Sequence, residues 1–342
     1  MDTRIITAVA GASGLVTAAS LRGLGIDPRV ISASVRSGDL IAVRRAVYTT
    51  AELWSSWDEW HDRPLARIRA VHLTITVDHR FSHDSSAILH ALPLIDPRAS
   101  GVHVTREGVV GSQVRHGVRH HGAPYTDGDE VEVEGLAALA IPRTVADLSR
   151  THGYAHGLAA ADAALRRGIT RAQLAAATDA MVAWPGVTVA RSVVRDADPG
   201  AESLAETLAR ILVNELGIGD VETQFPVRTV RGVRWCDLRV GCHLFEVDGR
   251  IKIIPVEDGG VAAATAQQVL WDEKKRERDV TSRGLGMSRI VWQDFWEPHR
   301  SQARRRLRAE YAHTCQRYGT ELPAELAEDA QRLRDLRRRR AG

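Results

Sequence analysis

Cysteine, lysine and aromatic residues are all scarce in this chain. Only three cysteines occur in 342 residues, Cys236, Cys242 and Cys315, and none forms a C-x-x-C pair. That spacing excludes a zinc ribbon or a disulfide framework and fits a reducing cytosol. No eighteen apolar residues run together, so no membrane span is expected. The opening MDTRIITAVAGASG has an acid at position two and no apolar core, unlike a signal peptide, so the expected location is cytoplasmic. Twelve prolines and 26% charged residues argue against long disorder. Lysine is the rarest of the common charges. Of 46 basic residues only Lys252, Lys274 and Lys275 are lysine, and all three fall in one region.

What is present suffices for two or three hydrophobic cores, since 44% of the residues are hydrophobic. The formal charge of +3 hides an asymmetry. From Arg300 to Gly342 there are 12 Arg against 6 acids, a local +6 that leaves the rest near −3. A basic tail on a nearly neutral body points to an anionic partner or to a solvated helical surface.

Residues 15–50 read LVTAASLRGLGIDPRVISASVRSGDLIAVRRAVYTT. Thr17 is an N-cap for a short helix that stops at Gly23 or Gly25. Asp27 caps a second helix, with Pro28 in the first position, where its missing N–H costs nothing. That helix turns Val30, Ile31 and Val35 to a core and Arg29, Ser32, Ser34 and Arg36 outward. An alternating strand pair follows, with Arg44 and Arg45 near its tip. Helix, tight turn, helix and β-wing describe a winged helix-turn-helix, with Arg29, Ser32, Arg36, Arg44 and Arg45 as the DNA-binding set. A small helical domain for protein contacts is the alternative. The stretch AELWSSWDEWHDRP then reads as a linker helix punctuated by Pro64.

From residue 68 the pattern is mixed. AVHLTITV is a strand or a buried helix segment, SHDSSAILHALPL a capped helix, and GVHVTRE and VRHHGAP are alternating strands. Ser82, His83 and Asp84 cannot form a catalytic relay as neighbours on one turn, so Ser82 is expected as an N-cap. His103, His116, His120 and His121 could bind a metal, but they have no fixed ligand spacing, and solvation or hydrogen bonding is their expected role.

From Glu202 onward the order is helix, strand, hairpin, helix, strand. A two-residue turn at Gly241 and Cys242 pairs 240 with 243, 239 with 244, 238 with 245 and 237 with 246. Asp237 then faces Glu246, with Asp248 two residues along on the same face. Opposed carboxylates require a divalent cation with oxygen ligands, an Arg partner or a raised pKa. On the preceding helix, Glu202 lies at the margin of the apolar stripe and Glu206 points nearly away from it. A nearby lysine would orient the attacking water and steady developing phosphorane charge.

These segments carry two resemblances. AESLAETLARILVNELG, Gln224, Asp237, EVDGRIK and WDEKKRERDVTSRGLGMSRIVWQDFW, within roughly 199–297, resemble the PD-(D/E)xK restriction-endonuclease-like domain of the very-short-patch-repair type. The N-terminal stretch above, with FSHDSSAILHALPL, VHVTR and PRTVADL, resembles the AbiEi-type antitoxin family, a winged helix followed by an α/β domain. The first resemblance implies Asp237, Glu246 and Glu202 as ligands of Mg²⁺ or Mn²⁺. It puts a lysine at 248, where this chain has Asp248, so the lysine's role passes to Lys252 or Lys274.

The resulting expectation is a multidomain α/β protein. Its parts are a winged helix-turn-helix (1–54), a linker (55–67), an AbiEi-like α/β domain (68–195), a restriction-endonuclease-like domain (196–297) and a basic helical tail (298–342). DNA is the expected partner and hydrolysis of its phosphodiesters the expected reaction. The alternatives are an antitoxin-like regulator with an inactive nuclease-like domain, with a cognate toxin as second partner, and an interaction scaffold.

Overall fold

Two compact units, Met1–Ala197 and Asp198–Gly342, make up the chain. The structure, a computed structural model, describes residues 2–230, 232–248, 279 and 282–341. Each unit combines helices with a sheet, giving a multidomain α/β protein.

In the first unit, helices α1 (Thr3–Gly11), α2 (Ala18–Gly23) and α3 (Pro28–Ser37) close over Ile5, Val9, Leu21, Ile26 and Ile31. Local chemistry sets their ends. Thr17 accepts the Ser20 amide at 3.0 Å and Asp27 accepts the Arg29 amide at 2.7 Å. Gly38 ends α3 at φ +82°, a left-handed conformation that costs glycine little. A three-stranded sheet of β1 (Val16–Thr17), β2 (Leu40–Arg44) and β3 (Val47–Thr50), ordered β1-β3-β2, packs beside them.

Helices α4 (Ala51–Ser56) and α5 (Asp62–His72) follow. Pro64 stands in the first turn of α5, where no intrahelical donor is lost. The start of AVHLTITV therefore belongs to a helix, whose Leu65, Ile68 and Val71 join the next core. That core lies against a six-stranded sheet of β4 (Arg80–Phe81), β5 (Val102–Thr105), β6 (Ser112–Arg115), β7 (Val118–His121), β8 (Glu130–Val133) and β9 (Leu136–Leu139). Its order is β6-β7-β5-β4-β9-β8, with β5/β7 and β4/β9 parallel. Helix α6 (His83–Leu89) leads directly out of β4. After β9 come α7 (Ile141–His152), α8 (Tyr154–Arg166), α9 (Arg171–Asp179) and α10 (Val187–Asp196).

The second unit begins with α11 (Leu204–Asn214) and continues with β10 (Glu222–Thr229), β11 (Gly232–Val240), β12 (His243–Asp248) and β13 (Gly286–Val291). The sheet runs β10-β11-β12-β13. Its first two pairings are antiparallel and β12/β13 is parallel. Helices α12 (His299–Tyr318) and α13 (Ala324–Ala341) flank the predicted break at Pro323.

Residues 298–342 are not simply a solvated tail. Ala330, with Tyr318, Leu322 and Leu326, packs against Phe225, Val227, Cys236 and Leu244 of the sheet. Many of its arginines are also spent on acids of the same unit. Arg300 meets Glu215 at 2.7 Å, Arg306 meets Asp294 at 2.8 Å, and Arg334 pairs with Glu222. A basic stretch can serve as the second layer of an α/β unit because long Arg stems cover apolar surface while their heads find partners.

Candidate functional site

The acidic hairpin forms at the predicted turn. Val240 pairs with His243, Arg239 with Leu244 and Leu238 with Phe245. The described ladder ends there. The Asp237 carboxylate accepts the Val247 amide at 2.8 Å instead of standing opposite Glu246. Glu246 accepts Arg234 at 2.9 Å, and Asp248 pairs with Arg289 at 3.2 Å. Of the three solutions to crowded acids, this strand pair uses arginine for Glu246 and Asp248. Buried Cys236 lies beside Glu246. Burial first, and that carboxylate second, push its thiol well above the usual range.

Glu202 and Glu206 exchange their expected roles. Glu202 precedes α11, is exposed, and meets Arg337 at 3.1 Å. Ser203 is the N-cap, and its hydroxyl accepts the Glu206 amide at 3.2 Å. Glu206 reaches back, accepting the Ser203 hydroxyl at 2.9 Å and the Glu202 amide at 2.7 Å. These bonds draw the Glu206 carboxylate toward the helix N-terminus. The helical wheel located its Cα correctly but said nothing of that pull. Gln224, in left-handed backbone at φ +48°, donates to Glu206 at 3.4 Å. Burial raises the Glu206 pKa, the Glu202 amide opposes this, and the negative charge of Asp237 raises it further.

Among the described residues the proposed metal trio of Glu202, Asp237 and Glu246 therefore does not converge. Glu206 instead feels the negative charge of Asp237 and, to a smaller extent, that of Glu202. Lys252 and Lys274 lie outside the described residues. Two hard oxygen donors suit Mg²⁺ or Mn²⁺, which commonly bind one or two carboxylates and keep several waters.

On the N-terminal module, Arg29, Ser32 and Arg36 share the exposed side of α3, while Ile31 and Ser34 turn inward and Val30 is partly exposed. The Arg29, Arg36 and Arg45 side chains make no ion pair or hydrogen bond among the described residues. Arg44 differs. Its guanidinium donates to Thr74 at 2.9 Å and to the His116 carbonyl at 2.9 Å, tying the hairpin to the body of the unit.

A third constellation joins residues that the sequence scatters. In the parallel β5/β7 ladder His103 pairs with Arg119 and Thr105 with His121, so His103 and His121 lie diagonally on one face. His83 follows β4 at φ +51° and stacks on His121, with ring centroids 3.8 Å apart. His120 points the other way and accepts from Arg106 at 3.1 Å. Ser82 occupies the N-cap position without a capping bond and lies 3.0 Å from His83 Nδ1, while Asp84 meets His152 at 2.5 Å. No Ser-His-Asp relay results. The signal for the cluster was an i, i+2 relation across two parallel strands, which a single strand's pattern does not contain.

Burial lowers the His103 pKa to about 4 and, with the neighbouring His83 and His103, that of His121 to about 3. Folded His103 stays neutral while the unfolded chain takes up a proton below about pH 6.5. Its contribution is present above that pH and is lost as pH falls toward 4, at about 1.4 kcal/mol per pH unit. Urea unfolding of the first unit is expected to weaken between pH 6.5 and 4, and His103→Gln to flatten that slope. Equal slopes in both proteins would contradict this.

No known protein family matches this sequence, and no curated protein matches it. No helix among the described residues is long and apolar enough to cross a membrane.

Proposed function

We propose that this is a DNA-binding protein whose second unit is a metal-dependent endonuclease. The observation that carries DNA binding is the set of guanidiniums of Arg29, Arg36 and Arg45, unpaired among the described residues, around an exposed helix face and hairpin tip. Helix, turn, helix and strand pair in that order support a winged helix, with α3 as the groove-entering helix. The nuclease reading draws support from the interacting Glu206 and Asp237 carboxylates beside a sheet with three antiparallel strands and a parallel fourth.

Glu206 and Asp237 would hold Mg²⁺ or Mn²⁺, which supplies a Lewis acid for phosphodiester hydrolysis and lowers the pKa of its bound water. The Ser203 hydroxyl and the Glu202 amide fix the Glu206 carboxylate before any ligand arrives, and the Val247 amide does the same for Asp237. Such preorganisation reduces the rearrangement needed during reaction.

A regulator of the AbiEi type with an inactive nuclease-like unit is favoured by a different observation. Arg234 neutralises Glu246, an acid that the resemblance places in the motif, and Arg289 neutralises Asp248, which stands where the motif has lysine. Plasmid assays with Mg²⁺ or Mn²⁺ separate the readings. Nicking supports the nuclease, and tight binding of an operator without cleavage in either metal supports the regulator.

DNA contact has its own test. Arg29→Ala and Arg36→Ala are each expected to weaken binding about tenfold and to reduce the salt slope by about 1, as loss of a phosphate contact does. Arg44→Ala should lower thermal stability and leave the salt slope unchanged. Fluorescence anisotropy at several salt concentrations measures both, and unchanged affinity in Arg29→Ala and Arg36→Ala would remove α3 from the interface.

A further inference from the structure

We propose that His83, His103 and His121 form a binding site for one divalent transition-metal ion of the zinc class, with an open coordination position facing a cavity. One ligand atom from each ring lies within 4.8 Å of the other two. Three donors around a four-coordinate zinc-class ion stand about 3.3 Å apart, given metal–nitrogen bonds of about 2.0–2.1 Å. Binding therefore requires the donors to close by up to about 1.5 Å.

Three elements deliver the ligands: the β4–α6 junction, β5 and β7. The His83 and His103 rings are 5.4 Å apart and those of His103 and His121 are 5.2 Å apart. Ser82 fixes one edge of His83, and His121 Nε2 lies 3.2 Å from His103 Nδ1. His83 Nε2, His103 Nε2 and His121 Nδ1 make no hydrogen bond among the described residues. Neutral imidazole is the ligating form, and burial holds all three rings neutral.

The surroundings suit an ion with a free position. His83 and His121 line a cavity of about 590 Å³, together with Arg119, Asp147, Arg150 and Trp184. Asp84, near His103, contributes negative charge, and Asp147 holds both Arg143 and Arg150 in ion pairs. Three histidines and an open fourth position define a site that admits water or a small anion, whereas a structural zinc site is closed by four protein ligands.

The test uses the full chain, without a polyhistidine tag, stripped by chelator and titrated with Co²⁺ and then Zn²⁺. In the presence of excess Mg²⁺, which occupies carboxylate sites, the expected result is one ion per chain, visible d–d absorption from four-coordinate Co²⁺, and a rise in melting temperature. His83→Ala, His103→Ala and His121→Ala should each weaken binding by more than about 100-fold, beyond the range for loss of an outer contact. His116→Ala should bind as wild type does. Far-ultraviolet circular dichroism establishes that each variant is folded, and the half-buried His121 provides the variant least prone to disturb the core. Wild-type protein without Co²⁺ absorption at micromolar metal, or folded variants that bind as tightly as wild type, would overturn the site. Because the readout is metal binding in the first unit, its failure is distinct from failure of DNA cleavage by the second.

Discussion

Asp237→Ala is expected to slow metal-dependent nicking of plasmid DNA by about 10²–10³-fold while leaving DNA affinity unchanged. A metal centre supplies several kcal/mol of transition-state stabilisation, and each 1.36 kcal/mol is a factor of ten in rate. Glu206 lies in the field of Asp237, so Glu206→Gln should fall by a similar factor. Glu202→Ala should retain most activity, because Glu202 is exposed and occupied by Arg337. That ordering separates the observed geometry from the one expected on sequence alone, which placed Glu202 at the metal. Initial nicking rates in Mg²⁺ and Mn²⁺ measure it. Full activity in Asp237→Ala, or no cleavage by the wild type in either metal, would remove the nuclease reading and leave DNA binding standing.

The largest stability effect is expected at Asp147, which accepts Arg143 at 3.0 Å and Arg150 at 2.9 Å. The Asp147 side chain is 1% exposed and that of Arg143 is 5% exposed, so water cannot replace the lost carboxylate. Removing one partner of a buried pair leaves an uncompensated charge and costs about 3–5 kcal/mol. Asp147→Ala should destabilise the first unit by that amount in urea unfolding. Asp78→Ala, which removes a partner 82% exposed from Arg80, should cost less than about 1 kcal/mol. Equal losses at the two positions would contradict this account. Replacing Asp147, Arg143 and Arg150 together by apolar residues should recover part of the loss, since no charge is then stranded.

Features set by neighbours in sequence were legible. Thr17 and Asp27 cap their helices because the capping oxygen reaches an amide two or three residues ahead. The Gly241–Cys242 turn sets the pairing of 238–240 with 243–245 by the same local logic. Pro323 separates the last two helices. The hairpin face failed one step farther out. Alternation assumes an unbroken ladder, and here the Asp237 side chain takes the Val247 amide. Arginine residence was likewise beyond reach. Arg44 and Arg45 are adjacent and chemically identical, yet Arg44 is anchored by Thr74 and the His116 carbonyl while Arg45 is exposed.

By itself, the sequence determined an α/β chain with two helices and a strand pair at its start, an acidic hairpin near its end, and helices broken at proline. All of these depend on backbone preferences and contacts a few residues long. Only the tertiary structure decided which charges remain available. It paired Glu246 and Asp248 with Arg234 and Arg289, placed Glu206 in the field of Asp237, seated the basic segment on its sheet, and drew His83, His103 and His121 together. The physical reason is range. A cap or turn is satisfied within one turn of chain, whereas a buried charge or imidazole takes its partner from whichever strand or helix packs beside it.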